Sequence, residues 1–126
     1  MSILELLPSL KAACRPRFDS TIWPPDTHFH LGRLVIDTTV AEDLADCCGT
    51  PTMLGGVLLT RVRSVLAGIV TVDGQSSPML APGVLGAEIA NRHSVASREY
   101  FAFGDRKIEL PSDVRAGDVL ALVPKS

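Results

Sequence analysis

The chain has 126 residues, of which 46% are hydrophobic, and its formal net charge at pH 7 is −2. A chain of this length and apolar content has the size of one globular domain that can bury a core without disulfides or metals, which excludes a disordered protein. The nearly balanced charge provides no electrostatic basis for binding nucleic acid or an anionic membrane surface.

The N-terminal segment predicts a helix followed by an irregular connection. Four residues repeat at helical spacing and form one apolar stripe: Ile3, Leu7, Leu10 and Cys14. The apolar run around them is short, is interrupted by Glu5 and Pro8 and lacks a basic leader, so we expect neither a signal peptide nor a membrane span. Prolines recur in the residues that follow, up to residue 31, and they predict an irregular segment.

Residues 32–51 predict a short strand and a short helix. The stretch Gly32–Asp37 has the apolar and β-branched composition of a strand. Thr39 and Glu42 then match a capping box, in which the Thr hydroxyl accepts a hydrogen bond from a free helical amide and the Glu side chain reaches back. Gly49, followed by Pro51, is expected to end the helix.

This helix is expected to bury one apolar side that includes a cysteine. Val40, Leu44 and Cys47 or Cys48 share that side. Both cysteines stand at the end of the helix rather than at its start, so we expect core positions and not reactive thiols. With Cys14 the cysteines are odd in number, which is no disulfide framework and favours a reducing, cytoplasmic location.

From residue 57 onward the sequence predicts short strands separated by turns. The strands are expected at Val57–Arg63, Leu66–Val72, Val84–Ile89, Ser94–Phe103, Lys107–Leu110 and Val119–Val123. Asp73 and Gly74 form a strong turn signal, and prolines and serines make residues 75–83 a loop. This pattern predicts a mainly β fold, a small β-barrel or sandwich with one or two short N-terminal helices. We expect one domain over residues 1–126, with the helix and irregular segment at 1–31 and the barrel at 32–126.

Several segments form an ordered set along the chain: Gly32–Ile36, Ala41–Ala45, Gly49–Pro51, Val57–Val62, Ile69–Gly74, Asp105–Pro111 and Gly117–Leu122. In this order they resemble parts of the fold type III PLP-dependent decarboxylases, a family that includes the diaminopimelate and ornithine decarboxylases. The first three resemble the segment that leads into the family's catalytic barrel, and the others resemble strands of its C-terminal β-barrel domain. The resemblance therefore implies the fold of that β-barrel domain.

The catalytic half of that family has no counterpart in this sequence. A PLP-binding (β/α)₈ barrel takes roughly 250 residues, whereas this chain passes directly from Pro51 to Val57. Three lysines are present, and none lies in a motif that matches the family's Schiff-base lysine: Lys11, Lys107 and Lys125. Where the family has a CESxD cluster, this chain reads Val95–Glu99, with one carboxylate left. The resemblance thus implies no decarboxylase activity and no cofactor.

Two groups of polar residues could carry other chemistry. Asp26, His28 and His30 alternate and would share one face of an extended segment, where they could bind Zn²⁺ or Fe²⁺. An HxH pair is common by chance, so we expect no metal and consider His28 instead as an acid–base residue. The second group is polar and aromatic, and a solvated strand face is the alternative interpretation: His93, Glu99, Tyr100, Asp105 and Arg106.

These residues lead to one site hypothesis. Loss of the large domain would expose apolar strands, which we expect to be covered partly by the N-terminal segment and partly by a second copy in a homodimer. The predicted site is an apolar cavity with these residues: His28, Glu99 and Tyr100 as catalytic, and Trp23, Phe29 and Arg106 as substrate-binding.

Three functions are compatible with such a barrel. The first is a cofactor-free enzyme acting on a hydrophobic small molecule, such as the small β-barrel cyclases of bacterial secondary metabolism. The second is a non-catalytic partner that regulates a decarboxylase or another pathway enzyme. The third is a plain small-molecule binding module. The apolar content exceeds what a surface docking module needs and favours the first.

Overall fold

The computed structural model describes residues 18–75 and 77–125. In chain order their elements are β1 (His28–His30), β2 (Arg33–Ile36), β3 (Thr39–Val40), α1 (Ala41–Cys48), β4 (Thr52–Leu54), β5 (Val57–Leu66), β6 (Ile69–Val72), β7 (Val84–Ile89), β8 (Arg98–Phe103), β9 (Arg106–Pro111) and β10 (Val119–Pro124). A 3₁₀ turn at Pro78–Leu80 interrupts the loop between β6 and β7. The helix predicted over Ile3–Cys14 lies outside the described residues. No helix within the described ranges has the length and apolar character needed to cross a membrane.

Seven strands form a sheet that curls into a nearly closed barrel. The strand order is β7-β10-β5-β6-β8-β9, and β4 pairs with β5 beside this path. Neighbouring strands are antiparallel except β6 and β8, which are parallel. The two end strands, β7 and β9, come to lie beside each other. The prediction of a mainly β protein with a small barrel is therefore confirmed.

A second, three-stranded sheet covers part of the barrel. β1, β2 and β3 are antiparallel neighbours, and α1 follows β3 directly. The Leu34 amide donates a 3.0 Å hydrogen bond to the Ala90 carbonyl oxygen, which ties β2 to the residue after β7. Residues 28–30, expected to be irregular, thus form a strand, and residues 33–40 belong to this cover and not to the barrel. Within the described part of the N-terminal segment, Phe18 and Trp23 pack over the apolar side chains of β5.

β10 and the first part of β5, residues 57–60, are buried on both faces, because they separate two apolar cores. The inner core fills the barrel with the following side chains: Leu58, Val62, Val70, Val72, Leu80, Ala87, Ile89, Phe101, Phe103, Ile108, Leu110, Val114, Leu120 and Leu122. The outer core lies between the barrel and its cover: Phe18, Trp23, Leu34, Ile36, Ala41, Ala45, Val57, Leu59, Ala90, Val119, Ala121 and Val123. Burial on both faces explains why these two strands read as nearly continuous apolar runs.

Two sequence predictions about α1 are wrong. The N-cap is Val40, whose side chain makes no capping hydrogen bond. Glu42 accepts a 2.8 Å hydrogen bond from Arg33 instead of reaching back to the helix start, so the capping box does not form. Cys47 and Cys48 are exposed, because Ala41 and Ala45 form the buried side of the helix. The predicted helix end at Gly49 is confirmed.

Two strand boundaries also differ from the predictions. The β5–β6 hairpin turns at Ala67 and Gly68, so Leu66 ends β5 and does not begin β6. The strand expected to start at Ser94 begins at Arg98, because the Ser94 hydroxyl accepts a hydrogen bond from the Ala96 amide and holds a local turn. The strands predicted near Val84 and Val119 lie where they were expected.

Candidate functional site

The barrel is closed between β7 and β9 by side chains and not by a strand ladder. These two strands are the opposite ends of the hydrogen-bonded order, yet they lie side by side. We call the junction between them the seam. A strand edge without a ladder leaves backbone groups that other partners must satisfy, so the side chains at the seam decide how it closes.

Arg98 of β8 spans the seam. Its guanidinium donates to the Ala87 carbonyl oxygen at 2.9 Å and to the Glu88 carboxylate at 3.2 and 3.3 Å on the β7 side. On the β9 side it donates to the carbonyl oxygen and to the carboxylate of Glu109, both at 2.9 Å. All three nitrogens of the guanidinium therefore donate to the seam, and the two contacts to Glu88 come from the same nitrogen. Arg98 therefore acts as a clamp that joins the two edge strands.

Two grooves flank this clamp. The first, which we call the Tyr100 groove, has a volume of about 280 Å³ and is lined by Val84, Leu85, Gly86, Ala87, Arg98, Tyr100, Lys107, Ile108 and Glu109. The second, the Trp23 groove, has a volume of about 370 Å³ and is lined by Phe18, Trp23, Gly86, Ala87, Glu88 and Arg98. Both grooves share Gly86, Ala87 and Arg98, so both border the seam. Their volumes are of the order found for small-molecule sites.

The Trp23 groove is built on a row of aromatic rings. Phe18 packs edge-on against Trp23 at a centroid distance of 5.0 Å, and it contacts Phe29 in a tilted arrangement at 5.6 Å. Phe29 in turn stacks on the His93 ring at 4.4 Å. A Cβ at Gly86 would lie 3.1 Å from Nε1 of Trp23, which is closer than side chains normally approach. Glycine at position 86 therefore lets the indole rest directly on β7.

The predicted site residues do not share one cavity. Trp23 and Tyr100 both line the seam, on opposite sides of Arg98. Arg106 lies in a separate hollow of about 320 Å³, where it donates to the carbonyl oxygens of Leu80 and Ala81 at 3.1 and 2.8 Å. The structure therefore brings Trp23 and Tyr100 to the seam and places Arg106 elsewhere, because Arg106 and the groove residue Lys107 are neighbours on β9 and point to opposite faces.

The remaining predicted residues lie on the cover or on the opposite face of β8. His28 is exposed on β1, and its Nδ1 lies 2.6 Å from the Asp26 carbonyl oxygen. Phe29 takes part in the aromatic row and packs against the outer core. Glu99 is exposed and pairs with Leu110 in the β8–β9 ladder. None of these three lines either seam groove.

The proposed ligand set of Asp26, His28 and His30 does not converge on one point. No group of three or more His, Cys, Asp or Glu side chains within residues 18–75 and 77–125 is arranged to hold a metal ion. In the same ranges no buried side-chain nitrogen or oxygen lacks a hydrogen-bond partner. The polar groups of the core are thus satisfied by the protein itself.

A closed polar network lies at the start of β10 and serves the fold. Asp118 is 2% exposed and accepts hydrogen bonds from Arg92, Asn91 and the Arg115 amide. Burial works to raise the pKa of Asp118, but the Arg92 guanidinium and the other donors hold that pKa below its ordinary value. The Ser94 hydroxyl, 2.6 Å from Asp113, is the main cause of a lowered pKa at that carboxylate.

Sequence reasoning missed the charged residues of the seam. These residues are Arg98, Glu88, Lys107 and Glu109. A signal was present, since Arg98 and Tyr100 alternate on β8 and Lys107 and Glu109 alternate on β9. What the sequence could not show was that β7 lies next to β9, which follows only from barrel closure.

Comparison with known proteins gives no family for this chain. No family model matches it, and neither the curated proteins nor the solved structures searched gave a match. The resemblance to fold type III decarboxylases therefore stays a hypothesis, and the functional argument depends on the geometry of the seam.

Proposed function

We propose that the protein is a cofactor-free barrel that binds a hydrophobic small molecule at the seam. The observation that carries the proposal is the exposure of large apolar side chains inside a groove: Tyr100 is 70% exposed and Leu85 is 47% exposed, and both line the Tyr100 groove. Large apolar groups gathered in a concave surface are typical of ligand sites. The inner core is filled by side chains, so the ligand lies at the surface of the barrel and not within it.

The geometry supports binding more strongly than catalysis. The described residues that line the two seam grooves include no histidine, cysteine or serine, the usual side chains of nucleophilic and acid–base sites. The cyclase hypothesis would have to rely on the shape of the groove and on its tyrosine and charged groups alone. We therefore place binding first and treat conversion of a bound ligand as a second outcome of the same tests.

The cellular setting of this proposal is a biosynthetic protein in the cytoplasm. Cys47 and Cys48 are free and exposed, which fits a reducing compartment. A non-catalytic partner role in a pathway is compatible with the same groove, because a carrier or regulator also has to hold the small molecule. Pairing of two copies stays a prediction, which light scattering of the purified protein would check.

Titration with a neutral fluorescent naphthalene, N-phenyl-naphthylamine, tests the proposal. Trp23 is the sole tryptophan and lies beside the seam, so a probe bound there should quench its emission by energy transfer. We expect Tyr100→Ala and Leu85→Ser each to weaken binding about tenfold, as the loss of one large apolar contact does. Val95→Ser is the matched control, because Val95 is 94% exposed and lines neither groove.

Two results would overturn this function. If the folded protein shows no saturable binding of the probe, the proposed site does not exist. If neither Tyr100→Ala nor Leu85→Ser weakens binding, the probe binds elsewhere on the protein. Chromatography of the probe or of a retained natural ligand before and after incubation separates binding from conversion, and a new product would favour the cyclase hypothesis.

A further inference from the structure

We propose that the seam ligand carries an anionic head group and that Lys107 binds it. This inference rests on the proposed function and adds the chemical class of the ligand: an amphipathic anion, with an aromatic or aliphatic body and a carboxylate, sulfonate or phosphate at one end.

Most charges at the seam are paired within the protein. Arg98 donates to Ala87, Glu88 and Glu109 from all three of its side-chain nitrogens. The Glu109 carboxylate lies 2.9 Å from Nε of Arg98 and shares this one positive charge with Glu88. Glu88 is 4% exposed and faces the same guanidinium. Neither the clamp nor its two carboxylates therefore offers a ready contact to an ionic ligand.

Of the two cations that line the seam grooves, Arg98 is in ion pairs and Lys107 is not. Six of the described arginines have a carboxylate partner, namely Arg33, Arg61, Arg63, Arg92, Arg98 and Arg106. Lys107 has no such ion pair among the described residues, and it lines the Tyr100 groove. Arg115 and Lys125, which also lack a carboxylate partner within residues 18–75 and 77–125, are exposed and line neither seam groove.

The position of Lys107 in the ladder leaves room for a ligand. In the β8–β9 ladder Lys107 pairs with Ala102 of β8, whose methyl side chain is small and covers little of the surface beside the lysine. Tyr100 is two residues from Ala102 and projects from the same face of β8. Lys107 therefore lines the same groove as the exposed apolar side chains of Tyr100 and Leu85. An ammonium is a compact point charge that pairs with any of the three acid groups named above.

A pair of matched probes tests the inference. Anilinonaphthalene sulfonate has the ring system of N-phenyl-naphthylamine with one sulfonate added, so the two differ in the anionic group. We expect Lys107→Gln to weaken binding of the sulfonate about tenfold, as loss of one charge-assisted contact does, and to leave binding of the neutral probe unchanged. Lys107→Arg should keep the preference for the anion. Lys125→Gln is the control for a lysine outside the seam and should change neither affinity.

The outcomes separate this inference from the proposed function. The neutral probe could bind at the seam while wild type and Lys107→Gln have equal affinities for the sulfonate. This result would contradict the binding of an anionic head group by Lys107 and would leave the proposed binding site in place. Equal weakening of both probes by Lys107→Gln would also contradict this role of Lys107, because the lysine would then act through the shape of the groove. Failure of the neutral probe to bind would overturn the proposed function itself.

Discussion

Arg98 joins three strands through one side chain, because it extends from β8 and bonds to both β7 and β9. The Glu88 carboxylate it faces is 4% exposed, so this charge is held away from water. A buried carboxylate is costly unless a cation and hydrogen bonds compensate it. Removal of Arg98 would therefore cost more than the pair itself contributes, since the buried charge would be left without this guanidinium.

Substitution Arg98→Met should lower the free energy of unfolding by about 3 kcal/mol, the range found when one partner of a buried pair is removed. Urea denaturation measures the change. The control is Arg63→Met, whose ion pair with Asp73 involves an arginine side chain that is 70% exposed, and it should cost less than about 1 kcal/mol. Addition of Glu88→Gln to Arg98→Met should recover part of the loss. Equal stability of the single and double variants would contradict the role of Arg98 in compensating the buried charge of Glu88.

The pKa of Asp118 leads to a prediction about acid stability. Its folded pKa is lowered, so the folded protein binds this proton less readily than the unfolded chain. The stabilisation is therefore complete above the unfolded pKa of about 3.9 and is lost as pH falls through the folded pKa. We expect the free energy of unfolding to fall steeply below about pH 4.

The variant Asp118→Asn should lose about 2 kcal/mol at pH 7, because it removes the charge that pairs with Arg92, and should show a flatter acid limb. Urea titrations at several pH values measure both effects. Asp105→Asn, in which the replaced side chain is 90% exposed, should keep the wild-type slope. An unchanged slope in Asp118→Asn would show that other carboxylates cause the acid loss.

At the scale of elements, the β5–β6 hairpin shows how a local conformation sets a boundary. Ala67 and Gly68 have φ values of 52° and 77°. Two successive residues with positive φ between antiparallel strands indicate a turn of the I′ kind, whose twist matches that of the strands and which prefers Asn followed by Gly. Alanine is unfavourable at the first position because its Cβ crowds the backbone there.

Replacement of Ala67 by Asn should therefore stabilise the protein by about 0.5 to 1 kcal/mol, while Gly68→Ala should destabilise it by about 1 kcal/mol. A Cβ at Gly68 would meet no atom within 4 Å, so the loss would report backbone strain and not a clash. Thermal unfolding measures both variants. A neutral or stabilising Gly68→Ala would show that the turn does not require positive φ at that position.

The elements could be predicted from the sequence wherever one local signal determined them. The apolar runs of β7 and β10 and the helix end at Gly49 are of this kind. The boundaries that failed depend on competing partners: Glu42 bonds to Arg33 instead of capping α1, and the Ser94 hydroxyl bonds locally. The seam could not be predicted, because the proximity of β7 and β9 requires the whole barrel to close.

At the scale of the whole molecule, the two cores share structural elements. β5 and β10 contribute side chains to the inner core on one face and to the outer core on the other. Loss of the cover would expose the outer faces of these strands to water, and loss of the barrel would remove the surface on which the cover packs. The two layers should therefore unfold as one cooperative unit.

Trp23 makes this coupling measurable. It is the sole tryptophan, it is 7% exposed, and it belongs to the outer core, whereas far-UV circular dichroism is dominated by the strands of the barrel. The urea transitions followed by the two signals should coincide. Phe18→Ala, which truncates a ring that is 8% exposed and packs on Trp23, should lower the unfolding free energy by about 3 kcal/mol and shift both transitions by the same amount. A fluorescence transition that moves to lower urea while the dichroism transition stays in place would show instead that the cover opens from a barrel that is stable without it.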